Sequence, residues 1–189
     1  MKRLPDCAKC LREILPAHGF KLKSSTWRRD VGEFVDVVGF ERGKFGSSYL
    51  VRFGVLTKSV FEALWGKAPP ASPPAYDCTV ELGRADLSDS KSWEIDDPTA
   101  AAEIVDLVRS SALPFFDQMH SREAQLRYIT QPDYINYWTK PLYTAILMFE
   151  VGDREAACKK LRTHTWRVNS KDFEETANEI ADRLNCPKL

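Results

Sequence analysis

The sequence predicts an α+β fold: an antiparallel sheet of four or five strands, packed by helices and followed by a C-terminal extension that is entirely helical. Two patterns support this prediction. Residues 25–56 contain three short segments rich in aromatic and β-branched residues, separated by glycine and aspartate, as is typical of an antiparallel meander. From Pro98 onwards, apolar residues recur at helical spacing. We expect an α+β domain over residues 1–120 and a helical extension over residues 121–189 that packs on it.

An amphipathic helix opens the chain, because apolar residues recur at helical spacing between Leu4 and Leu15 and Pro16 marks its end. Three predicted strands follow, at residues 25–29, 34–40 and 48–56. In the third strand, four apolar residues alternate with a mixed set, so that one face is apolar: Tyr49, Val51, Phe53 and Val55. We expect this face to pack against the first helix and against the helix that follows Pro98.

The later elements follow from proline content and periodicity. Four prolines between residues 68 and 75 exclude a helix and predict an extended connector. Strand character returns at residues 77–82 and 93–95. Beyond Pro98, helical patterns cover residues 98–115, 121–129, 138–149, 153–161 and 171–184. We expect Pro114 to kink or divide the first of these helices.

The overall charge gives no reason to expect nucleic acid or an anionic membrane as a partner, since 27 Lys and Arg balance 27 Asp and Glu. The charges are nevertheless unevenly distributed. Residues 1–57 carry 11 basic and 6 acidic side chains, whereas residues 58–111 carry 5 basic and 10 acidic side chains. A basic first third therefore precedes an acidic middle, and each is a candidate surface.

The five cysteines are an odd number, which does not resemble a secreted disulfide framework, and we interpret them as reduced thiols. The sequence shows no signal-peptide pattern and no apolar segment of the roughly 20 residues that span a bilayer, so we expect a cytoplasmic protein without a membrane segment. Cys7 and Cys10 have C-x-x-C spacing, but no second pair follows. We therefore expect no metal and no cofactor.

The acidic middle contains the candidate partner-binding residues, which are Asp86, Asp89, Trp93, Glu94, Asp96 and Asp97. Their spacing does not match a calcium-binding loop. One interpretation is that Asp96 and Asp97 cap the following helix and that the other carboxylates are solvated. The other interpretation is a docking surface for a basic protein, with Trp93 as an aromatic anchor amid complementary charge.

Basic residues on or beside the first three predicted strands form the alternative surface: Arg28, Arg29, Arg42, Lys44 and Arg52. Aromatic side chains between these cations would suit single-stranded nucleic acid, whose bases stack and whose phosphates pair with cations. The alternation of the third strand argues against this, because Arg52 lies on the opposite face from Tyr49 and Phe53. The aromatic residues then belong to the core, and nucleic acid is an unlikely partner.

The order of short motifs along the first two thirds of the chain resembles a known family. The motifs lie at residues 15–23, 26–29, 35–40, 51–55, 76–78 and 82–83 and at Trp93, and the stretch from Ser72 to Ile95 is the most informative. Together they resemble the bacterial family catalogued as domain of unknown function 4304, over about residues 4–120. The resemblance implies a bacterial α+β domain and transfers no catalytic or binding residue.

The sequence contains no nucleophile elbow, zinc-protease, phosphate-loop or dinucleotide-binding motif. We therefore expect a non-enzymatic protein-binding module with an immunity-type or inhibitor-like role, which would neutralise a toxin or another basic protein through the acidic segment. The alternative is an enzyme or a nucleic-acid-binding protein that uses the basic sheet face or the cleft beside the C-terminal helices. The oligomeric state is not indicated.

Overall fold

The computed structural model of the protein describes residues 9–42, 48–82, 92–132, 134, 139–163 and 171–188. Within these ranges the chain forms six strands: β1 Lys21–Lys23, β2 Thr26–Val31, β3 Phe34–Arg42, β4 Ser48–Thr57, β5 Val80–Leu82 and β6 Ser92–Glu94. It also forms eight α-helices: α1 Leu11–Ile14, α2 Lys58–Trp65, α3 Ala100–Leu107, α4 Leu113–Gln118, α5 Arg122–Ile129, α6 Lys140–Glu150, α7 Arg154–Thr163 and α8 Lys171–Arg183. The predicted α+β fold with a helical extension is confirmed.

The sheet is antiparallel throughout, and its first four strands follow one another as a meander. The last two strands share the free edge of β4: β5 pairs along Phe53–Val55, and β6 pairs along Ser48–Leu50. The sixth strand, absent from the prediction, is β1, which has three residues and turns into β2 through Ser24 at a φ of +61°. A strand this short carries too little alternation to be recognised in sequence.

The main core lies between one face of the sheet and the helices. Phe53 and Val55 are fully buried there, Val51 packs against it, and Tyr49 is half-buried opposite Trp93. The predicted orientation of this strand is confirmed. Helices α1, α3 and α4 supply the other side of the core, in which the Phe116 ring lies 6.5 Å from that of Phe53.

The opposite face of the sheet is also covered, which the sequence did not predict. A second buried cluster contains Val37 and Leu56 from the sheet, Phe61 from α2, and Ala75 and Cys78 from the end of the proline connector. The connector closes against the sheet through a 3-10 turn at Ala75–Asp77. This close approach requires a glycine at position 54, where a β-carbon would lie 2.6 Å from that of Cys78.

Pro114 divides the helix that follows Pro98, as predicted. A π-helical turn at Val108–Ala112 separates α3 from α4, and Pro114 occupies the first turn of α4. Proline has no N–H to donate within a helix, and a wider turn before it accommodates the missing hydrogen bond. The buried side chains of α3 and α4 thereby stay on the core side of the helix, as the burial of Ile104 and Phe116 shows.

Helices α5 to α8 form the extension. Helix α6 packs against α2 and α7, and α7 packs against α8. The α6–α7 turn contains Gly152 at a φ of +101°, between the helices predicted at residues 138–149 and 153–161. Buried residues on both sides of residue 120 belong to the same core cluster, among them Phe116 and Leu142. In the described ranges, no helix combines the length and apolarity that a membrane span requires.

Candidate functional site

Arg29, a member of the predicted basic face, points into the interface between the sheet and α4. Its Nε donates to Asp36 Oδ2 at 2.6 Å, and its Nη2 donates to Asp117 Oδ1 at 3.0 Å. His120 Nε2 donates to the other oxygen of Asp36 at 2.8 Å, so this fully buried carboxylate has two cationic or N–H partners. Burial lowers the pKa of Arg29, but its contacts with Asp36 and Asp117 outweigh burial and raise it. Arg29 therefore holds the sheet to the helix.

Arg52 is also ion-paired, on the other face of the sheet, where it links β4 to β3 and β5. Its Nε lies 2.7 Å from Glu41 Oε2, and its Nη1 donates to Glu81 Oε2 at 2.9 Å. Burial lowers the pKa of Arg52, and its contacts with the two carboxylates raise it by more. Because Arg29 and Arg52 lie on opposite faces and are both ion-paired, they do not contribute to one common cationic surface.

The remaining members of the predicted basic face are dispersed. Arg28 pairs with Asp30, two positions further along β2. Arg42 is exposed at the end of β3 and lines a cavity of about 690 Å³ together with Tyr49 and Tyr76. Lys44 lies outside the described residues. Among the members of the basic face that the structure describes, Arg42 is thus the one exposed cation that lines a cavity.

Trp93 belongs to the core. Its side chain is 3 % exposed, it faces Tyr49 across the β4–β6 pair, and its indole N–H donates to Glu103 Oε2 at 3.0 Å. A ring in this position cannot serve as an exposed anchor for a partner without leaving the core. The aromatic part of the predicted docking surface is therefore buried.

The acidic residues next to Trp93 divide into two groups. Asp97 accepts hydrogen bonds from the backbone N–H and the hydroxyl of Thr99 at 2.8 and 2.7 Å, which fixes the turn before α3. Glu94 and Asp96 are exposed, and Ile95 between them is 38 % exposed. Asp86 and Asp89 lie outside the described residues. The described part of the acidic surface is thus one turn with an apolar side chain between two carboxylates.

The cysteines depart from the sequence-based interpretation. Cys158 of α7 and Cys186, which follows α8, form a disulfide, so the expectation that all five are reduced is wrong for this pair. Spacing could not predict it, because a sequence separation of 28 matches no recognised motif. Cys78 is a thiol, and burial raises its pKa well above the ordinary value, which makes it unreactive. Cys7 lies outside the described residues, and within them no three potential metal ligands cluster.

A groove with a cavity volume of about 720 Å³ runs along α7. One wall is a single stripe of that helix, formed by Arg154, Glu155, Cys158, Lys159, Arg162 and Thr163. The other wall is the end of α8 and the chain that follows it, formed by Arg183, Leu184, Asn185 and Pro187. Phe149, from the end of α6, closes one end. Four cations and one carboxylate thus surround an apolar floor, to which Phe149, Cys158, Leu184 and Pro187 contribute.

The second wall depends on how α8 ends. Asn185 adopts the left-handed conformation, with a φ of +55°, and donates its backbone N–H to Asp182 O at 3.0 Å. The Cys186 N–H donates to Ala181 O at 2.8 Å. These two bonds form a Schellman motif, in which asparagine takes the place of the usual glycine. The motif turns the chain back towards α7 and brings Cys186 to Cys158.

Two of the four groove cations have partners. Arg162 Nη2 donates to Asp182 Oδ1 at 2.6 Å and to the Cys186 carbonyl at 3.1 Å, and its hydrogen bond lowers the pKa of Asp182. Arg183 donates to the carbonyls of Ala63 and Leu64 and to Glu179. Both arginines are therefore committed to fixing α8 in place.

The other two groove cations are exposed. The Arg154 guanidinium carbon lies 4.8 Å from the centroid of the Phe149 ring, which is a cation–π contact. Within the ranges that the structure describes, no carboxylate lies within ion-pair distance of Arg154 or Lys159. Arg154 and Lys159 are thus available to an anionic ligand.

Comparison with known proteins identifies the family. The chain matches the family described as domain of unknown function (DUF4304) over residues 11–118, which is more than half of its length. The chain belongs to the DUF4304 family. No curated protein and no solved structure matches it.

The match to DUF4304 extends from α1 to the end of α4 and includes the whole sheet. It therefore covers the predicted basic and acidic surfaces, for which the family description gives no function. The groove along α7 lies outside the matched range. The sequence contained one signal for it, which is the recurrence of charged residues at positions 154, 155, 159 and 162 on a single stripe of a predicted helix.

Proposed function

We propose that this DUF4304 protein is a protein-binding module, and that the groove between α7 and the end of α8 binds an acidic segment of a partner protein. The observation that carries the proposal is the combination of two exposed cations, Arg154 and Lys159, with an apolar floor in one concave surface. Ligand sites in proteins combine an apolar lining with a few placed polar groups, and charge complementarity selects the ligand.

The shape of the groove favours a peptide over a compact small molecule. The lining residues of α7 extend from Arg154 to Thr163, which are the first and last residues of the helix. Ten helical residues rise by about 15 Å, which equals the length of about four residues of an extended chain. The cations lie along this length, so an acidic segment can pair with both while its apolar side chains contact the floor.

Nucleic acid fits the groove less well. Single-stranded nucleic acid requires aromatic faces on which bases stack. Phe149 is the aromatic residue of the groove, and the guanidinium of Arg154 covers its ring. Glu155, Glu179 and Asp182 in or beside the groove would repel phosphates. A carboxylate-bearing peptide can place its fewer charges away from these acids.

One observation favours a second candidate surface. Ile95 is exposed between Glu94 and Asp96, so the acidic turn offers an apolar contact flanked by two carboxylates. A basic protein, as in an immunity-type or inhibitor-like role, is the partner that this turn would select. Ile95 would then be the anchor in place of the buried Trp93.

We retain the cytoplasm as the proposed location. The odd number of cysteines leaves at least one unpaired within the chain, and the buried thiol of Cys78 agrees with a reducing compartment. The disulfide between Cys158 and Cys186 opposes this proposal, since such bonds persist mainly in oxidising compartments. Fractionation of the native cells, with the protein detected by antibody, decides between the cytoplasm and an oxidising compartment.

Binding of a defined acidic peptide tests the proposed function. The probe is a dye-labelled ten-residue peptide in which glutamate alternates with leucine and serine, and its counterpart carries lysine in place of glutamate. Fluorescence anisotropy is measured with the wild-type chain and with the double variant Arg154→Glu/Lys159→Glu. We expect the wild type to bind the acidic peptide and the variant to lose about tenfold or more in affinity, with a difference that shrinks as salt shortens the Debye length.

The matched control is Lys21→Glu/Lys23→Glu, which changes the net charge equally at two exposed positions on β1. It should alter the affinity less than twofold. Equal losses in both double variants would mean that the peptide responds only to overall charge, and the groove proposal would fall. The second candidate surface would be supported if the wild type binds the lysine peptide and the variant Glu94→Gln/Asp96→Asn does not. Competition by a single-stranded oligonucleotide would favour the nucleic-acid alternative.

A further inference from the structure

The disulfide between Cys158 and Cys186 joins the two walls of the α7 groove. Cys158 lies within the α7 stripe, and Cys186 lies between Asn185 and Pro187, which both line the opposite wall. Both cysteines are largely buried, with 9 % and 6 % exposed. Within the described residues, this is the covalent link that sets the distance between the walls.

We propose that this disulfide is a redox switch for the groove: the oxidised protein holds the walls in the binding arrangement, and reduction by a dithiol lowers the affinity for the acidic ligand. The inference rests on the proposed function, because it concerns the regulation of the same site. Its physical basis is preorganisation, since a ligand that must order a loose wall loses affinity by the free energy of that ordering.

After reduction, Arg162 would still form hydrogen bonds across the groove. Arg162 bridges the walls through Asp182 and the Cys186 carbonyl, and the Schellman motif holds Asn185 and Cys186 to α8 itself. The Schellman bonds stay within one wall and do not cross the groove. Reduction therefore leaves Arg162 as a polar bridge between α7 and the end of α8, and its partner Asp182 is 64 % exposed. Such a hydrogen-bonded ion pair limits the separation of the walls less strictly than a covalent bond between them does.

The groove also provides the access for the reaction. Cys158 lines the cavity, whereas Cys186 is not among its lining residues. A thiolate of the dithiol reductant attacks Cys158 Sγ, the S–S bond breaks, and Cys186 leaves as a thiolate that takes up a proton. The second thiol of the reductant then attacks the mixed disulfide, which releases the Cys158 thiol and the oxidised, cyclic reductant. The two electrons come from the dithiol, and two protein thiols are formed.

The same geometry makes the coupling reciprocal. A peptide in the groove covers the route to Cys158, and it binds the oxidised form more tightly than the reduced form. By linkage, a tenfold preference for the oxidised form makes the bound protein harder to reduce by the same factor, which corresponds to about 30 mV in the two-electron potential. The acidic peptide should therefore protect the disulfide from dithiothreitol.

The test combines binding with a readout that does not depend on the ligand. Anisotropy with the acidic ten-residue peptide is measured for the oxidised wild type, for the wild type reduced with dithiothreitol, and for Cys158→Ser/Cys186→Ser. Hydrogen exchange of residues 154–163 and 183–188 is followed by mass spectrometry in the same samples. We expect about tenfold weaker binding and faster exchange of both walls after reduction, and a serine variant that matches the reduced protein and ignores dithiothreitol.

The outcomes separate this inference from the proposed function. Equal peptide affinity in the oxidised and reduced proteins would overturn the switch and leave the groove as a binding site. Unchanged exchange of both walls on reduction would also overturn it, whatever the affinity. If no sample binds the peptide and hydrogen exchange still rises on reduction, the proposed function is overturned. The faster exchange would nevertheless support the disulfide as the link that fixes the two walls.

Discussion

Replacement of Arg29 by glutamine distinguishes a structural cation from a ligand-binding one. The change removes both the 2.6 Å hydrogen bond to Asp36 and the 3.0 Å bond to Asp117. Asp36 stays fully buried, and His120 remains as its partner. Removal of one member of a buried ion pair costs about 3 to 5 kcal/mol, because the other charge is left without compensation.

The expected loss for Arg29→Gln lies at the lower end of that range, at about 3 kcal/mol. His120 retains one oxygen of Asp36, and the Arg29 side chain is 17 % exposed, so its own desolvation is incomplete. The free energy of unfolding is measured by urea titration with tryptophan fluorescence as the signal. A double-mutant cycle with Asp36→Asn should give a coupling energy above about 1 kcal/mol, as is expected for residues in contact.

The control is the neighbouring Arg28→Gln. Arg28 pairs with Asp30, which is 46 % exposed, so its loss should cost less than about 1 kcal/mol. Equal and small effects of the two substitutions would refute the reasoning. Arg29 would then be free to contact a ligand, and the basic sheet face would regain its place as a candidate surface.

Three further predictions concern the stability of the fold. Phe53→Ala should destabilise the fold by about 3 to 5 kcal/mol, because its ring is fully buried. The control Tyr76→Ala, at a position that is 60 % exposed, should have a small effect. A loss below about 1 kcal/mol for Phe53→Ala would mean that the core face is wrongly assigned. Gly54→Ala should cost about 1 to 3 kcal/mol, because its methyl group would lie 2.6 Å from a neighbouring β-carbon, and unaltered thermal unfolding would contradict that close contact. Cys158→Ser/Cys186→Ser should be about 3 to 4 kcal/mol less stable than the oxidised wild type, which is the chain-entropy value for a loop of this length. Equal stability of the two proteins would show that the disulfide contributes little to the free energy of unfolding.

The fold was predictable where the pattern is local. The alternation of residues 49–55 identified β4 and its core face, and the helical spacing after Pro98 identified the helices of the extension. Two features depend on contacts between distant segments and left no local signal. One is the cover on the second face of the sheet, which requires the proline connector to fold back, and the other is β1, whose three residues pair with β2.

The candidate sites were less predictable, because alternation specifies which face a residue lies on but not what it meets there. Arg29 and Asp117 are 88 positions apart, so their pairing could not be read from the sequence. Trp93 was compatible with both an anchor and a core residue, and only the packing of β6 on β4 decided for the core. Prediction of the groove would have required knowing that Cys158 pairs with Cys186, which the spacing of five cysteines does not specify.

The location of peptide binding is the most direct test of the proposed function. The ¹⁵N-labelled chain, oxidised, is titrated with the acidic ten-residue peptide, and amide chemical shifts are followed by NMR spectroscopy. We expect the largest shift changes at residues 154–163 and 183–188, which form the two walls of the groove. Changes concentrated at the turn around Ile95 or on the sheet, with the groove amides unaffected, would contradict the account.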